Sequence, residues 1–140
     1  NVDGVASITI NRPKSLNALS GVSRVELTKA IERGGNDATV GVIVLTGAGD
    51  RAFSSGGDVK WEKEGGLKDR HVGVNSRAVH EAIRHCGKPV IAVVKGYVIG
   101  MGNHLAYFCD VTIAADNAIF GQIGPRVGSP AEGWLVAYSQ

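Results

Sequence analysis

The sequence is short of the features that mark several classes of protein. It has only two cysteines, Cys86 and Cys109, at no metal-ligand spacing. That argues against a disulfide framework and fits a reducing, cytoplasmic setting. No apolar run approaches the roughly 18 residues needed to span a bilayer, so no membrane partner is expected. An excess of either charge is missing too: 15 Lys and Arg stand against 13 Asp and Glu, a net +2. Basic residues are scattered and not interleaved with aromatics, which excludes the usual nucleic-acid footprint. His71, His80 and His85 have no i, i+4 pairing and no carboxylate in ligand register, so no metal site is expected. There is no repeat at a fixed period, no low-complexity tract and no signal-peptide pattern. The chain begins at Asn1 without Met, which points to a preceding segment.

What is present is glycine and buried-strand patterning. Hydrophobic residues are 44% and charged residues 20% of the 140, ordinary for one globular domain. Glycine numbers 20, about twice its usual share of roughly 7%. Val5 to Ile10 alternates apolar and polar and reads as a half-buried strand. Asn11-Arg12-Pro13 ends it, and a helix is expected from an N-cap at Ser20 to about Arg33, stopped by Gly34-Gly35. Val40 to Thr46 and Val90 to Val94 are β-branched runs expected to be covered on both faces. Between them, residues 59–75 read as a mobile loop, and Ala78, Val79, Ala82 and Ile83 mark a short amphipathic helix. An apolar helix over about Asn103 to Cys109, strands at Asp110 to Ala115 and Ile119 to Phe120, and a glycine-rich loop over 121–134 complete the chain. Buried strands alternating with helices define a single α/β domain over residues 1–140 with parallel pairing.

Two stretches share one design, a buried strand, a glycine-rich bend and a helix start: Leu45 to Asp58 and Val90 to Leu105. Backbone N–H groups at such bends lack helical acceptors and point one way, and the helix dipole of the second favours negative charge. Two of them converging on one oxygen would make an oxyanion site. Tight turns needing Gly at positive φ explain the pattern equally well. No phosphate-loop motif occurs, and Gly100-Met101-Gly102 lacks the third Gly of a dinucleotide fingerprint.

GDRAFSSGGDVK (Gly49 to Lys60) and KPVIAVVKGYVIGMGNHLAYFCDVTIAADNAIFGQIGPRVGS (Lys88 to Ser129) resemble the two signature stretches of the crotonase superfamily, and NRPKSLNAL (Asn11 to Leu19) resembles its coenzyme A segment. Within that superfamily, FGQIGPRVGS is most similar to the branch of 1,4-dihydroxy-2-naphthoyl-CoA synthase and 2-ketocyclohexanecarboxyl-CoA hydrolase. The resemblance implies a crotonase-like spiral of ββα turns, here without the C-terminal helical region, which in the family serves trimer or hexamer assembly. It implies an acyl-CoA substrate whose thioester enolate is held by backbone donors. Coenzyme A enters as part of the substrate, and no covalently bound cofactor is implied.

Carried over by position, the oxyanion donors are the N–H groups of Gly57 and Met101, where the family usually has Gly at the latter. Coenzyme A contacts fall on Lys14, Asn17, Ala18, Leu19, Ala52, Ser55 and Lys60. The two Glu of family hydratases are replaced by His104 and Gly124, so a carboxylate pair activating water is missing at those positions. In some members of the naphthoyl-CoA synthase branch, bicarbonate near a Gln matching Gln122 fills the second place. Ser129 matches a Ser of that branch, while its catalytic Asp falls on Ala131, with Glu132 one residue later. Acid/base candidates are therefore His104 and Glu132. The alternative to an enzyme is an inactive fragment or an acyl-CoA-binding homologue.

Overall fold

A computed structural model describes residues 2–66 and 76–127. The expected positions Ser129, Ala131 and Glu132, His71 and most of the 59–75 segment lie outside them. The order is β1 (Val5–Ile10), α1 (Gly21–Asn36), β2 (Val42–Gly47), β3 (Ala52–Ser54), α2 (Val59–Lys63), α3 (Ser76–Arg84), β4 (Val90–Val94), β5 (Tyr97–Ile99), α4 (Met101–Phe108), β6 (Val111–Ala114) and β7 (Ile119–Gly121). Single 3-10 turns at Pro13–Ser15 and Gly124–Val127 flank this core.

The strands form two sheets. One has four strands in the order β1-β2-β4-β6, the other three in the order β3-β5-β7. Every pairing is parallel. From β2 onward each chain turn thus lays one strand in the large sheet and the next in the small sheet, with helices between the turns, which is the expected spiral. Ile43 pairs with Val90 and Leu45 with Ala92, so these residues share a face. That face meets α1 and α3 in a core that includes Leu27, Ile31, Phe53, Val79 and Leu105.

The opposite face corrects one expectation. Val42, Val44 and Thr46 are only half-buried, Ile91 likewise, and Val93 is 37% exposed, so β2 and β4 are not covered on both faces. On the edge strand β6, Val111 and Ile113 are 51% and 55% exposed. A continuous apolar run signals the strand correctly but does not report which face another layer covers.

A second correction falls on 59–63, read as loop from its polarity. These residues form α2, because the Asp58 side chain accepts from Trp61 N and caps the turn. Asp before a helix start is the ordinary N-cap signal. β3 and β5 were also not anticipated as strands. At three residues each they are too short for any period-2 pattern. Ser20 caps α1 as expected, accepting from Ser23 N, but the helix runs on to Asn36 through Gly34 and Gly35. A Cβ at Gly34 would stand 2.9 Å from Ile43 Cδ1, so glycine there lets α1 lie close on β2 and does not stop the helix. The last helix begins at Met101, two residues before the expected start.

Candidate active site

The first glycine bend is stitched to the segment before α1. Leu19 N–H donates to Gly56 O (2.8 Å) and Asp58 N–H to Leu19 O (3.2 Å). Ser55 N–H donates to Leu16 O, and the Ser54 hydroxyl to Asn17 O. In this parallel bridge Leu19 supplies both hydrogen bonds to the neighbours of Gly57. The pleat therefore turns Gly57's own N–H away from Leu19. It has no acceptor among the described residues.

The second bend is built the same way. β4 ends at Val94, Gly96 takes φ +57° and β5 runs to Ile99. Gly100 (φ 53°, ψ −118°) then caps α4, whose first helical residue is Met101. This backbone region is open to glycine and nearly closed to other residues. His104 N–H donates to Gly100 O (3.0 Å) and starts the helix. Met101 N–H is one of the helix's orphan donors, with no acceptor among the described residues.

The two bends touch. A Cβ at Gly56 would stand 2.8 Å from Ile99 O and 3.3 Å from Met101 N, and one at Gly102 would stand 2.5 Å from Ser54 O. Glycine at both positions lets the backbones meet. Covalent geometry then limits the separation of the Gly57 and Met101 nitrogens to about 7 Å. One oxygen at roughly 3 Å from each would need the two nitrogens within about 6 Å, a separation that this limit includes.

The expected coenzyme A residues divide by exposure. Lys14 and Lys60 are exposed and Ser55 is half-buried. Asn17, Ala18, Leu19 and Ala52 are buried. Asn17 spends its side chain inside the protein: Nδ2 donates to Ala48 O and Ala52 O, and Oδ1 accepts from Arg12 N. His104 is half-buried on α4, its ring centroid 6.2 Å from that of buried His80 on α3. Gln122 is exposed after β7, and Gly124 opens the last 3-10 turn.

Sequence reasoning missed an ion-pair lattice around Gly57. Arg12 Nη1 meets Asp58 Oδ2 at 2.8 Å and also donates to Ala18 O at 2.6 Å. Arg24 on α1, only 7% exposed, meets Glu62 Oε1 on α2 at 3.2 Å. Its guanidinium carbon lies 5.9 Å from the Trp61 ring centroid, within cation–π range. A Cβ at Gly57 would stand 2.8 Å from Glu62 Oε1 and 3.3 Å from Arg24 Nη2. A charge in the first turns of α1 was the available signal, but one arginine in a helix ordinarily means a solvated face. Desolvation pushes the Asp58 carboxyl up, yet the Arg12 hydrogen bond and the Trp61 N–H outweigh it and hold it below its usual value. Burial, with Asp110 adding to it, pushes the Cys109 thiol up to about 12, which makes it inert and structural. Among the described residues no cluster suits a metal ion, and no helix is long and apolar enough to cross a membrane. A hollow of about 320 Å³ between α1 and α3, lined by Glu32, Glu81, His85 and Cys86 among others, shares no residue with either bend. It is not part of this site.

Two glycine bends that touch between consecutive turns of a parallel spiral define the class of protein: a parallel α/β spiral. The family described as enoyl-CoA hydratase/isomerase matches residues 1–140, and the chain belongs to that family. An enoyl-CoA hydratase/carnithine racemase from Magnetospirillum magneticum is similar with a TM-score of 0.87 at 29% identity, over 98% of this chain and 52% of that one. An enoyl-CoA hydratase from Mycobacterium avium subsp. paratuberculosis K-10 is similar with a TM-score of 0.76 at 37% identity, over 86% of this chain and 47% of that one. The chain spans about half the length of the solved structures it matches.

Proposed function

We propose that this chain carries the oxyanion-hole half of an acyl-CoA enzyme that works through a thioester enolate. The observation that carries this reading is the pair of unaccepted N–H groups, Gly57 and Met101, held within about 7 Å of each other by glycine contacts. When an acyl-CoA α-proton is removed, the C–H electron pair moves into the thioester and negative charge collects on its oxygen. Two fixed donors in a water-poor site lower the cost of that charge, each by about 3 kcal/mol. Lys14, Ser55 and Lys60, none of them buried, would meet the coenzyme A moiety, with Lys60 toward a phosphate.

His104 handles a proton on the Met101 side of the hole in this reading. It starts one turn into α4, and neutral imidazole accepts a proton near pH 7 without first losing one. The branch resemblance in FGQIGPRVGS favours a lyase or hydrolase with a cyclic acyl group over simple hydration, since Gly124 offers no carboxylate. Trimer or hexamer assembly in the cytoplasm completes the proposal.

Met101→Pro tests the hole. Proline fits the first position of a helix and removes the N–H; Met101→Ala, which loses the core-packed side chain but keeps the N–H, is the control. Turnover of a short-chain enoyl-CoA should fall about 10²–10³-fold, as for other lost oxyanion donors, with unchanged circular dichroism. An acetoacetyl-CoA complex should place the thioester oxygen within hydrogen-bond distance of both nitrogens. An oxygen bound elsewhere, together with full activity in Met101→Pro, would sink the reading; tight binding without turnover would favour the binding homologue.

A further inference from the structure

The carboxylates that hydratases of the family use are missing at 104 and 124, but a carboxylate stands beside the hole from another element. Glu62 projects from α2 back onto Gly57. Its Oε1 lies 2.8 Å from the point where a Gly57 Cβ would stand, so it is within about 5 Å of the Gly57 nitrogen by covalent geometry. A thioester oxygen bound to that nitrogen sits about 3 Å away, and the acyl α-carbon is two bonds from that oxygen. The carboxylate and the α-carbon therefore lie within about 10 Å of each other across Gly57.

The carboxylate is also held and partly dried. Arg24 grips Oε1 at 3.2 Å, and the side chains are 9% exposed for Arg24 and 32% for Glu62. Trp61 roofs the guanidinium. Arg24 Nε is buried and has no hydrogen-bond partner among the described residues, an expensive arrangement that a purely structural pair on α1 and α2 does not require. Asp58 cannot serve instead, because Arg12 and the cap of α2 occupy it. Lys60 on α2 and Glu64 just after it pair with each other at 3.9 Å on the solvent side.

We propose that Glu62, clamped by Arg24 against Gly57, is the base that takes the acyl α-proton. The inference rests on the enolate reading above. The Glu62 carboxylate accepts the proton and becomes neutral; the C–H pair moves into the thioester, whose oxygen takes the negative charge between Gly57 and Met101. Net charge in the site is unchanged through the step: the negative charge moves from Glu62 to the thioester oxygen, and Arg24 keeps a neutral hydrogen-bond acceptor in the protonated carboxyl. Return of the proton to the α-carbon, or delivery of another by His104 further along the acyl chain, completes turnover.

Butyryl-CoA is the probe, since it has an α-proton and no double bond to hydrate or shift. The purified protein is incubated with it in D₂O, and deuterium gain is read by mass spectrometry beside a separately measured Kd. Glu62→Gln should slow exchange by about 10²–10⁴-fold, the usual contribution of a positioned base, with Kd within threefold of the parent. Glu62→Asp should recover part of the rate. Exchange in Glu62→Gln within threefold of the parent overturns the proposal and leaves the enolate reading standing. So does loss of butyryl-CoA binding in that variant, which would make Glu62 a packing residue. A parent protein that binds butyryl-CoA without any exchange overturns the enolate reading itself, and this inference with it.

Discussion

Gly102 lies against the main chain of Ser54, so closely that a Cβ on residue 102 would stand 2.5 Å from the Ser54 carbonyl oxygen. The contact joins the first helical turn of α4 to the last residue of β3. It is one of the places where the glycine bends meet, and it sets the height of α4 against β3.

Gly102→Ala should therefore damage both stability and the site. The obstacle is backbone, which cannot swing aside as a side chain can, so α4 must shift. Overpacking of this kind costs about 1–3 kcal/mol. Urea denaturation should show a lower midpoint at unchanged slope. Turnover should fall more than the folded fraction does, because the two donors lose their common focus. A midpoint and turnover equal to the parent's would show that the bends are not rigidly coupled.

Asp58 gives the fold an acid-sensitive latch. Its folded-state carboxyl titrates below the usual value near 3.8. A depressed carboxyl contributes stability above its unfolded value, and that stability is lost as pH falls through the folded value. Asn still caps a helix but cannot pair with Arg12. Asp58→Asn should be less stable at pH 7 by about 0.5–1 kcal/mol, as for a partly exposed pair, and the two proteins should converge in stability as pH falls through the lowered folded-state value. A gap that stays constant as acid is added would show that the loss comes from packing.

The uncovered face of the large sheet predicts association. Val93, Val111 and Ile113 on that face are 37%, 51% and 55% exposed, and Ile119 and Phe120 on the edge of the small sheet are 54% and 48% exposed. Apolar patches of this extent mark interfaces. Sedimentation of the purified protein should show trimers or hexamers. Ile113→Lys should weaken them while leaving secondary structure intact. A monomer that stays soluble at high concentration would count against this.

The sequence determined the parts whose causes are local. β-branched runs gave β2 and β4 because such side chains suit a pleated, packed surface. Ser20 gave the start of α1 through its own hydroxyl. Glycine at 56, 57, 100 and 102 marked both bends, since only glycine admits those dihedrals and close approaches. Local pattern could not decide the three-residue strands β3 and β5, which are defined by pairing with each other and with β7. The open face of β4 was equally hidden, because Val93 reads like Val94 until the neighbouring layer is known. Glu62 and Arg24 were hidden for the same reason. They are 38 residues apart, and each alone reads as a solvated charge. Only the parallel bridge of Leu19 to Gly57 brings α1 under α2 and turns two ordinary charges into a clamped pair beside the oxyanion donor.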